Sequence, residues 1–190
     1  RYYLVKEVSL GNDGNVSMEN LKNCINNDLA NNYGNLCQRV FSFVAKNCSN
    51  KIPKGEKPKK IDVDLLNNLI NKIPELIEDM NKQELNSYLK KVIDFSFQAN
   101  KYFNDLEPWA IKKTDTKRMN TILNTILTQI KNISILLLPI IPISANKILD
   151  FLNLKTNERD IASINNGYKF DYDSILKNPE ILFRKIEDDN

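Results

Sequence analysis

Asn27-Asp28-Leu29-Ala30-Asn31-Asn32-Tyr33-Gly34-Asn35-Leu36-Cys37-Gln38-Arg39 lies in the middle of the longest helical pattern in the chain. That pattern runs from Ser17 to about Asn47. Ser17 is a good N-cap, and Glu19 meets the helix dipole in the first turn. Leu21, Ile25, Leu29, Leu36, Val40, Phe43 and Val44 recur at spacings near 3.6 and predict one buried face. A second face carries more Asn and Arg than a packing helix needs. Asn31, Asn35 and Arg39, at i, i+4 and i+8, share one side of that helix and span about 12 Å. Gly34 inside a helix costs about 1 kcal/mol against Ala. Its expected use is the close approach of another helix or of a ligand.

Outward from this stretch the pattern stays helical. Residues 1–16 open with an apolar, aromatic piece and end in the turn signal Gly11-Asn12-Asp13-Gly14. After a polar, Pro- and Lys-rich loop at 49–60, Asp62 is placed to cap a second helix. That helix is apolar at Leu65, Leu66, Leu69, Ile70, Ile73 and Ile77, with a break expected at Pro74. A third helix runs from about Lys82 to Phe103, and Asn104 to Trp109 forms a corner with Pro108 suited to the first turn of a short helix. Asp115 caps a fourth helix that is apolar on more than one side, which predicts a central position; Pro139 and Pro142 end it. A fifth covers Ser144 to Leu154. Residues 155–178 read as polar and irregular, with an extended piece near Tyr168 to Tyr172, and the tail Glu180 to Ile186 has apolar anchors suited to docking back. The expectation is an all-α, antiparallel bundle of about five helices. Its divisions are 1–16 as the end of a preceding unit, 17–154 as the bundle and 155–190 as a docking segment.

Composition narrows the chemistry. The 190 residues are 42% apolar and 27% charged, enough for a folded core. The net charge of +3 is mild, so nucleic-acid binding would need specific contacts as well as charge. With no His, imidazole acid–base catalysis, Ser-His and Cys-His pairs and imidazole metal sites are excluded. Along one helix Cys24 and Cys37 lie about 20 Å apart and Cys37 and Cys48 about 16 Å, too far for disulfides. With no CxxC motif, this fits a reducing cytosol and no zinc knuckle. The longest apolar run, Ile133 to Ile143, is too short to span a bilayer. The start at Arg1-Tyr2-Tyr3 without Met suggests a piece excised from a larger protein.

Four constellations are candidates for function. Asn31, Asn35 and Arg39 offer donors, acceptors and a planar fork, which suits reading base edges. From periodicity alone, a solvated face in an Asn-rich chain is the favoured reading. Trp109, the only Trp, is either a corner filler or an exposed stacking platform for an unpaired base. Lys51, Lys54, Lys57, Lys59 and Lys60, with Lys112 and Lys113, are either phosphate contacts or a solvated loop. Glu75, Glu78 and Asp79 have no partner at metal-ligand or acid–base spacing, so neither catalytic nor metal residues are assigned.

Four segments carry a family resemblance: RYYLVKEVSLGNDGNVS, NNDLANNYGNLCQRVFSF, ANKYFNDLEPWAIKK, and LLLPIIPISANKILDFL followed by ILFRKIE. In this order, over essentially the whole chain, they resemble the C-terminal part of bacterial methionyl-tRNA synthetases, class I aminoacyl-tRNA synthetases. The resemblance implies that Asn35 and Arg39 contact the anticodon, chiefly its first base, cytosine. It implies that bases stack on Trp109, that Pro108 helps set that surface, and that Asn31 belongs to the same face. Tyr33-Gly34 departs from the Leu-Gly or Val pair common in the family, and Ser9-Leu10 stands where Pro-Phe is more usual. The catalytic signatures HIGH and KMSKS and the zinc-bearing insertion are absent, so this stretch would hold no cofactor. ATP, methionine and any zinc would belong to the catalytic domain of the same chain. The implied partner is the methionine tRNA, in a cytoplasmic, monomeric enzyme with no membrane association. The rival is a non-catalytic helical protein-interaction module anchored by Trp109. An enzyme in its own right is disfavoured by the missing His.

Overall fold

The computed structural model describes residues 1–8, 16–165, 170–173, 175–176 and 182–187. The turn expected at Gly11–Gly14, the Ser9-Leu10 departure, Tyr168 of the expected extended piece, Glu180 and Ile181 of the tail and the end 188–190 lie outside the described residues.

The quoted stretch belongs to one continuous rod whose pitch changes along its length. The Ser17 hydroxyl accepts the Asn20 amide at 3.1 Å and starts α2, Met18–Cys24. α1, Tyr2–Glu7, precedes it. The rod continues as a π-helical segment, Ile25–Gly34, and then as α3, Asn35–Asn47. The spacing predicts a regular α-helix throughout; the ten-residue π segment corrects that reading. The physical reason is that its polar residues are turned inward and tied to different neighbours. Asp28 and Asn32 are buried, and Tyr33 has no exposed surface. Gly34 is required here, because a Cβ would stand 2.7 Å from the Leu29 carbonyl oxygen and 3.0 Å from Cδ2 of Phe183. The close approach expected at Gly34 is therefore to its own wide turn and to the C-terminal segment.

The remaining elements pack chiefly through two long helices, 85–106 and 116–137. α4 is Lys60–Ile70 and α5 is Ile73–Asn81, with Pro74 in the first turn of α5 where the break was expected. Asp62 caps α4 from its third position, accepting the Lys59 amide at 2.7 Å. Ile77 was expected inward, but it is exposed while Ile73 and Leu76 are buried. α6 is Leu85–Leu106, α7 is Pro108–Ile111, α8 is Thr116–Leu137 and α9 is Pro142–Phe151. Asp115 Oδ1 accepts the Arg118 amide at 2.9 Å and caps α8. α8 packs against α3, α4, α6, α7 and α9. Its Ile122, Leu123, Ile126, Leu127, Ile130 and Ile133 are almost wholly buried, each contributing about 1.5–3 kcal/mol. This is the central helix that its all-round apolar pattern predicts. Among the described residues the fold is all-α, with one isolated β-bridge, Lys51 to Ile175.

The first helix and the described residues 182–187 both reach the rod. α1 packs on α6 and buries Tyr2 and Tyr3. The Tyr2 hydroxyl donates to Asp28 at 2.7 Å, and Lys6 pairs with the same carboxylate at 2.7 Å. Past a 3-10 turn at Thr156–Glu158, α10 at Ile161–Asn165 is tied to α8 by buried Lys131, which donates to the Ser163 carbonyl at 2.8 Å. Burial lowers the Lys131 ammonium to about 8. The tail packs Leu182 and Phe183 against the core, and Asn26 exchanges two hydrogen bonds of 2.9 Å with the backbone of Ile186.

A buried ion pair joins the second half of the bundle. Asp62 accepts from both guanidinium nitrogens of Arg118, at 2.5 and 2.9 Å, and from the Tyr102 hydroxyl at 2.5 Å. Burial pushes the Asp62 carboxyl upward, but hydrogen bonds from Arg118, Tyr102 and the Lys59 amide outweigh it, and the net direction is down. A carboxylate held below its unfolded pKa of about 3.9 stabilises the fold above that pH, and loses the effect as pH falls through the folded value. Replacing Asp62 by Asn leaves Arg118 unpaired and is expected to cost about 3 kcal/mol near pH 7. Urea unfolding should show that difference holding down to about pH 5 and shrinking below about pH 4. Gly34→Ala is expected to cost about 1–3 kcal/mol by overpacking. An unchanged urea midpoint would contradict the close contact.

Candidate nucleic-acid interface

The site forms where α3 meets the corner between α6 and α7. α6 ends at Leu106, and Glu107 then takes a left-handed backbone, φ 40° and ψ 58°. Pro108 follows with its fixed φ and is buried, so the chain changes direction sharply at this one junction. Left-handed geometry at a non-Gly residue costs roughly 1–3 kcal/mol and persists only where surrounding structure enforces it. Here it lifts Trp109 to the surface, 37% exposed, while keeping its edge against the core. Trp109 stands edge-on to buried Phe103, with ring centroids 5.5 Å apart at 76°.

Arg39, one turn into α3, reaches the same corner. Its guanidinium carbon lies 5.4 Å from the Phe103 centroid and 6.0 Å from the Trp109 centroid, within cation–π range. Nη2 of Arg39 donates to Oδ1 of Asn104 at 2.7 Å. One arm of the fork is thus held by the protein. The Arg39 and Trp109 side chains meet although they are 70 positions apart in the sequence.

Asn31 and Asn35 are both exposed on the rod that carries Arg39. They straddle the change of pitch: Asn31 is in the π segment and Asn35 is the first residue of α3. The strict i, i+4, i+8 line expected of the three residues is therefore bent at Asn31, since π turns take more residues. Neighbouring Asn32 points the other way. It donates to Ser96 Oγ at 2.7 Å and accepts from Asn100 Nδ2 at 2.8 Å, which fixes the rod to α6. The polarity that suggested one solvated face is thus split between an exposed and a buried set.

Asn104, the acceptor for Arg39, was not singled out by periodicity or composition. The only local signal was its position opening the corner before Glu107-Pro108-Trp109. Lys46, Lys112 and Lys113 are exposed close by, and Lys112 Nζ reaches Asn47 Oδ1 at 3.5 Å. The Lys-rich loop is pinned to α8 along its backbone: Thr121 Oγ1 donates to the Glu56 carbonyl at 2.6 Å, and Asn124 donates to the Pro53 carbonyl at 3.0 Å. Lys51, Lys54, Lys57, Lys59 and Lys60 remain exposed on it.

The acidic cluster is structural. Glu75 pairs with Lys72 and Lys91 at 2.7 Å each, Asp79 with Lys91 at 2.7 Å, and Glu78 with Lys82 at 2.6 Å. The hydrogen bonds from Lys72 and Lys91 hold the Glu75 carboxyl down to about 2. No cluster of three His, Cys, Asp or Glu suited to a metal occurs among the described residues. Cys24, Cys37 and Cys48 are free thiols. No described helix is long and apolar enough to cross a membrane.

Comparison with known proteins gives concordant matches. The family model for the anticodon binding domain of methionyl tRNA ligase matches residues 52–190, and that for class I tRNA synthetases (M) matches residues 1–41. The methionine–tRNA ligase of Rickettsia felis is 38% identical over 192 residues, covering 100% of this chain and 38% of the relative. That of Mesorhizobium japonicum is 35% identical over 183 residues, covering 96% of this chain and 36% of the relative. The apo crystal structure of Mycobacterium tuberculosis methionyl-tRNA synthetase superposes with a TM-score of 0.93 at 31% identity, covering 99% of this chain and 38% of that one. The chain thus spans well under half the length of these relatives.

Proposed function

The chain belongs to the methionyl-tRNA ligase family as its anticodon-binding region, and we propose that it selects the methionine tRNA by reading the CAU anticodon at the Arg39–Trp109 corner. The observation that carries this reading is the contact of an exposed Trp with an Arg fork that, among the described residues, spends only one arm on the protein. Single-stranded loop bases can unstack and splay, and sequence-specific RNA recognition favours such loops. Trp109 stacks one base, worth about 1–3 kcal/mol. Arg39 and Asn35 take the base edge, with the fork suited to the acceptor edge of cytosine and the Asn amide to a mixed edge. Asn31 assists from the π segment, and Pro108 sets the height of the platform. Lys46, Lys112 and Lys113 hold the backbone without sequence preference.

The wider assignment follows the family. The full-length protein would be a cytoplasmic methionine–tRNA ligase, acting as a monomer. Its catalytic domain, on the same chain, would use ATP to activate methionine and transfer it to the tRNA. This region would bind no cofactor and carry no catalytic residue. Residues 17–154 would form the reading bundle, 1–16 the end of the catalytic side and 155–190 a segment docked back on both.

In the full-length protein, Trp109→Ala and Arg39→Ala are each expected to weaken binding of a CAU stem-loop about tenfold or more. Both side chains also rest on Phe103, so their unfolding free energies should fall by about 1–3 kcal/mol with the fold retained. Wild-type binding by both variants would remove the site assignment. A Trp109-anchored protein-interaction module predicts no RNA affinity at all.

A further inference from the structure

Resting on that reading, we propose that Arg184 and Lys185 form a second contact to the same RNA, holding phosphates beside the reading helix from a strap of C-terminal chain. The strap has two anchors. At one, Phe183 lies against Gly34 and packs on Tyr33 with ring centroids 6.3 Å apart. At the other, the Asn26 amide donates to the Ile186 carbonyl and accepts the Ile186 N–H, both at 2.9 Å. The second anchor mimics a β-ladder pair, so it fixes the backbone and not merely a side chain.

The spacing of the anchors sets the path between them. Asn26 and Gly34 are separated by at most about 12 Å along the rod. Three residues of extended chain reach roughly 10 Å. Phe183 to Ile186 must therefore run nearly straight along the π segment, opposite in direction to it. Arg184 and Lys185 fall between the anchors, on the flank of the rod. Both are exposed, and neither has an ion pair among the described residues.

The surroundings leave that charge available. The exposed rod residues Asn27 and Asn31 are uncharged, and on the strap itself the only described carboxylate is the exposed Glu187, two residues past Lys185. The one carboxylate of the π segment, Asp28, is buried and already engaged by Tyr2 and Lys6. Arg184 follows Phe183, which abuts Gly34, the neighbour of Asn35. Along the continuous rod, Asn35 and Arg39 follow the strap's contact at Gly34 and precede the exposed Lys46. A guanidinium and an ammonium held at the surface next to base-reading amides match the chemistry of a phosphate backbone.

The test uses the full-length protein, a CAU stem-loop and a stem-loop with one anticodon base changed, across a salt series. Arg184→Ala with Lys185→Ala is expected to weaken both stem-loops equally, by roughly three- to tenfold, and to make the slope of log affinity against log salt shallower by about 1.4. The ratio between the two stem-loops should not move. Phe183→Ala, which keeps both cations but frees the strap, should reproduce part of the loss. An unchanged affinity and salt slope in the double variant overturns the proposal, as does a loss confined to the CAU stem-loop. If Trp109→Ala abolishes the CAU preference while the double variant binds as wild type, the strap alone fails. If wild type has no CAU preference, the anticodon reading fails first.

Discussion

The rest of the structure depends on how the π segment Ile25–Gly34 is held. Four of its side chains each find a different partner element. Asn26 grips the tail at Ile186, Asp28 takes Tyr2 and Lys6 from α1, and Asn32 joins Ser96 and Asn100 of α6. Tyr33 shares a 2.7 Å hydrogen bond with Ser134 of α8. Gly34 then admits Phe183. A π turn is rarely stable alone, and it persists where tertiary contacts favour it over the α register. Here a buried carboxylate, a buried amide and a buried phenol would each lose a partner if the register slipped. Leaving such groups unsatisfied costs about 1–3 kcal/mol apiece. The register of the rod is thus fixed by polar contacts more than by its apolar stripe.

That register decides what α3 presents. Asn35 opens α3 directly after the π segment, and Arg39 follows one turn later. A change of pitch upstream would rotate both away from the α6–α7 corner. Phe103 connects the two sides. It is buried in the core, touches Phe43 of α3 edge-on and supports Trp109 edge-on, and Arg39 lies over its ring. The exposed groups therefore rest on a rigid wall, which suits a site that must hold a fork and a stacking surface in fixed relation. The left-handed Glu107 is the local cost of turning the chain sharply enough to put Trp109 there.

Much of this frame was legible in the sequence, since local physics wrote it. Ser17 and Asp115 are caps, Pro74 and Pro108 open helices, and the all-round apolar stretch of α8 marks the centre. What stayed hidden depends on distant partners. The gap in the stripe between Leu29 and Leu36 was the one local trace of the π segment, but only Ser96, Asn100 and Ser134, far along the chain, explain why Asn32 and Tyr33 fill it. Asn26 carries no local signal, and Asn104 reads only as the start of the corner before Trp109; their roles rest on a tail and a guanidinium that periodicity cannot place. Ile77 was read inward because a helical stripe passed through it, yet α5 turns that position to solvent. For the site, periodicity alone favours a solvated face, and the family resemblance turns the reading toward Asn31, Asn35, Arg39, Pro108 and Trp109. The structure brings Arg39 and Trp109 into contact and leaves Asn31 and Asn35 exposed on the adjoining rod.

The central claim, that this corner reads a specific unpaired base, is tested most directly through Trp109, the only Trp of the chain. Its fluorescence can be titrated with a CAU anticodon stem-loop and with one carrying U in place of the first C, at about 0.1 M salt. The account predicts saturable quenching by the CAU loop, and an affinity for the altered loop weaker by roughly tenfold or more, as losing one good base-edge contact implies. Equal affinity for the two loops, or binding without any change at Trp109, would contradict it.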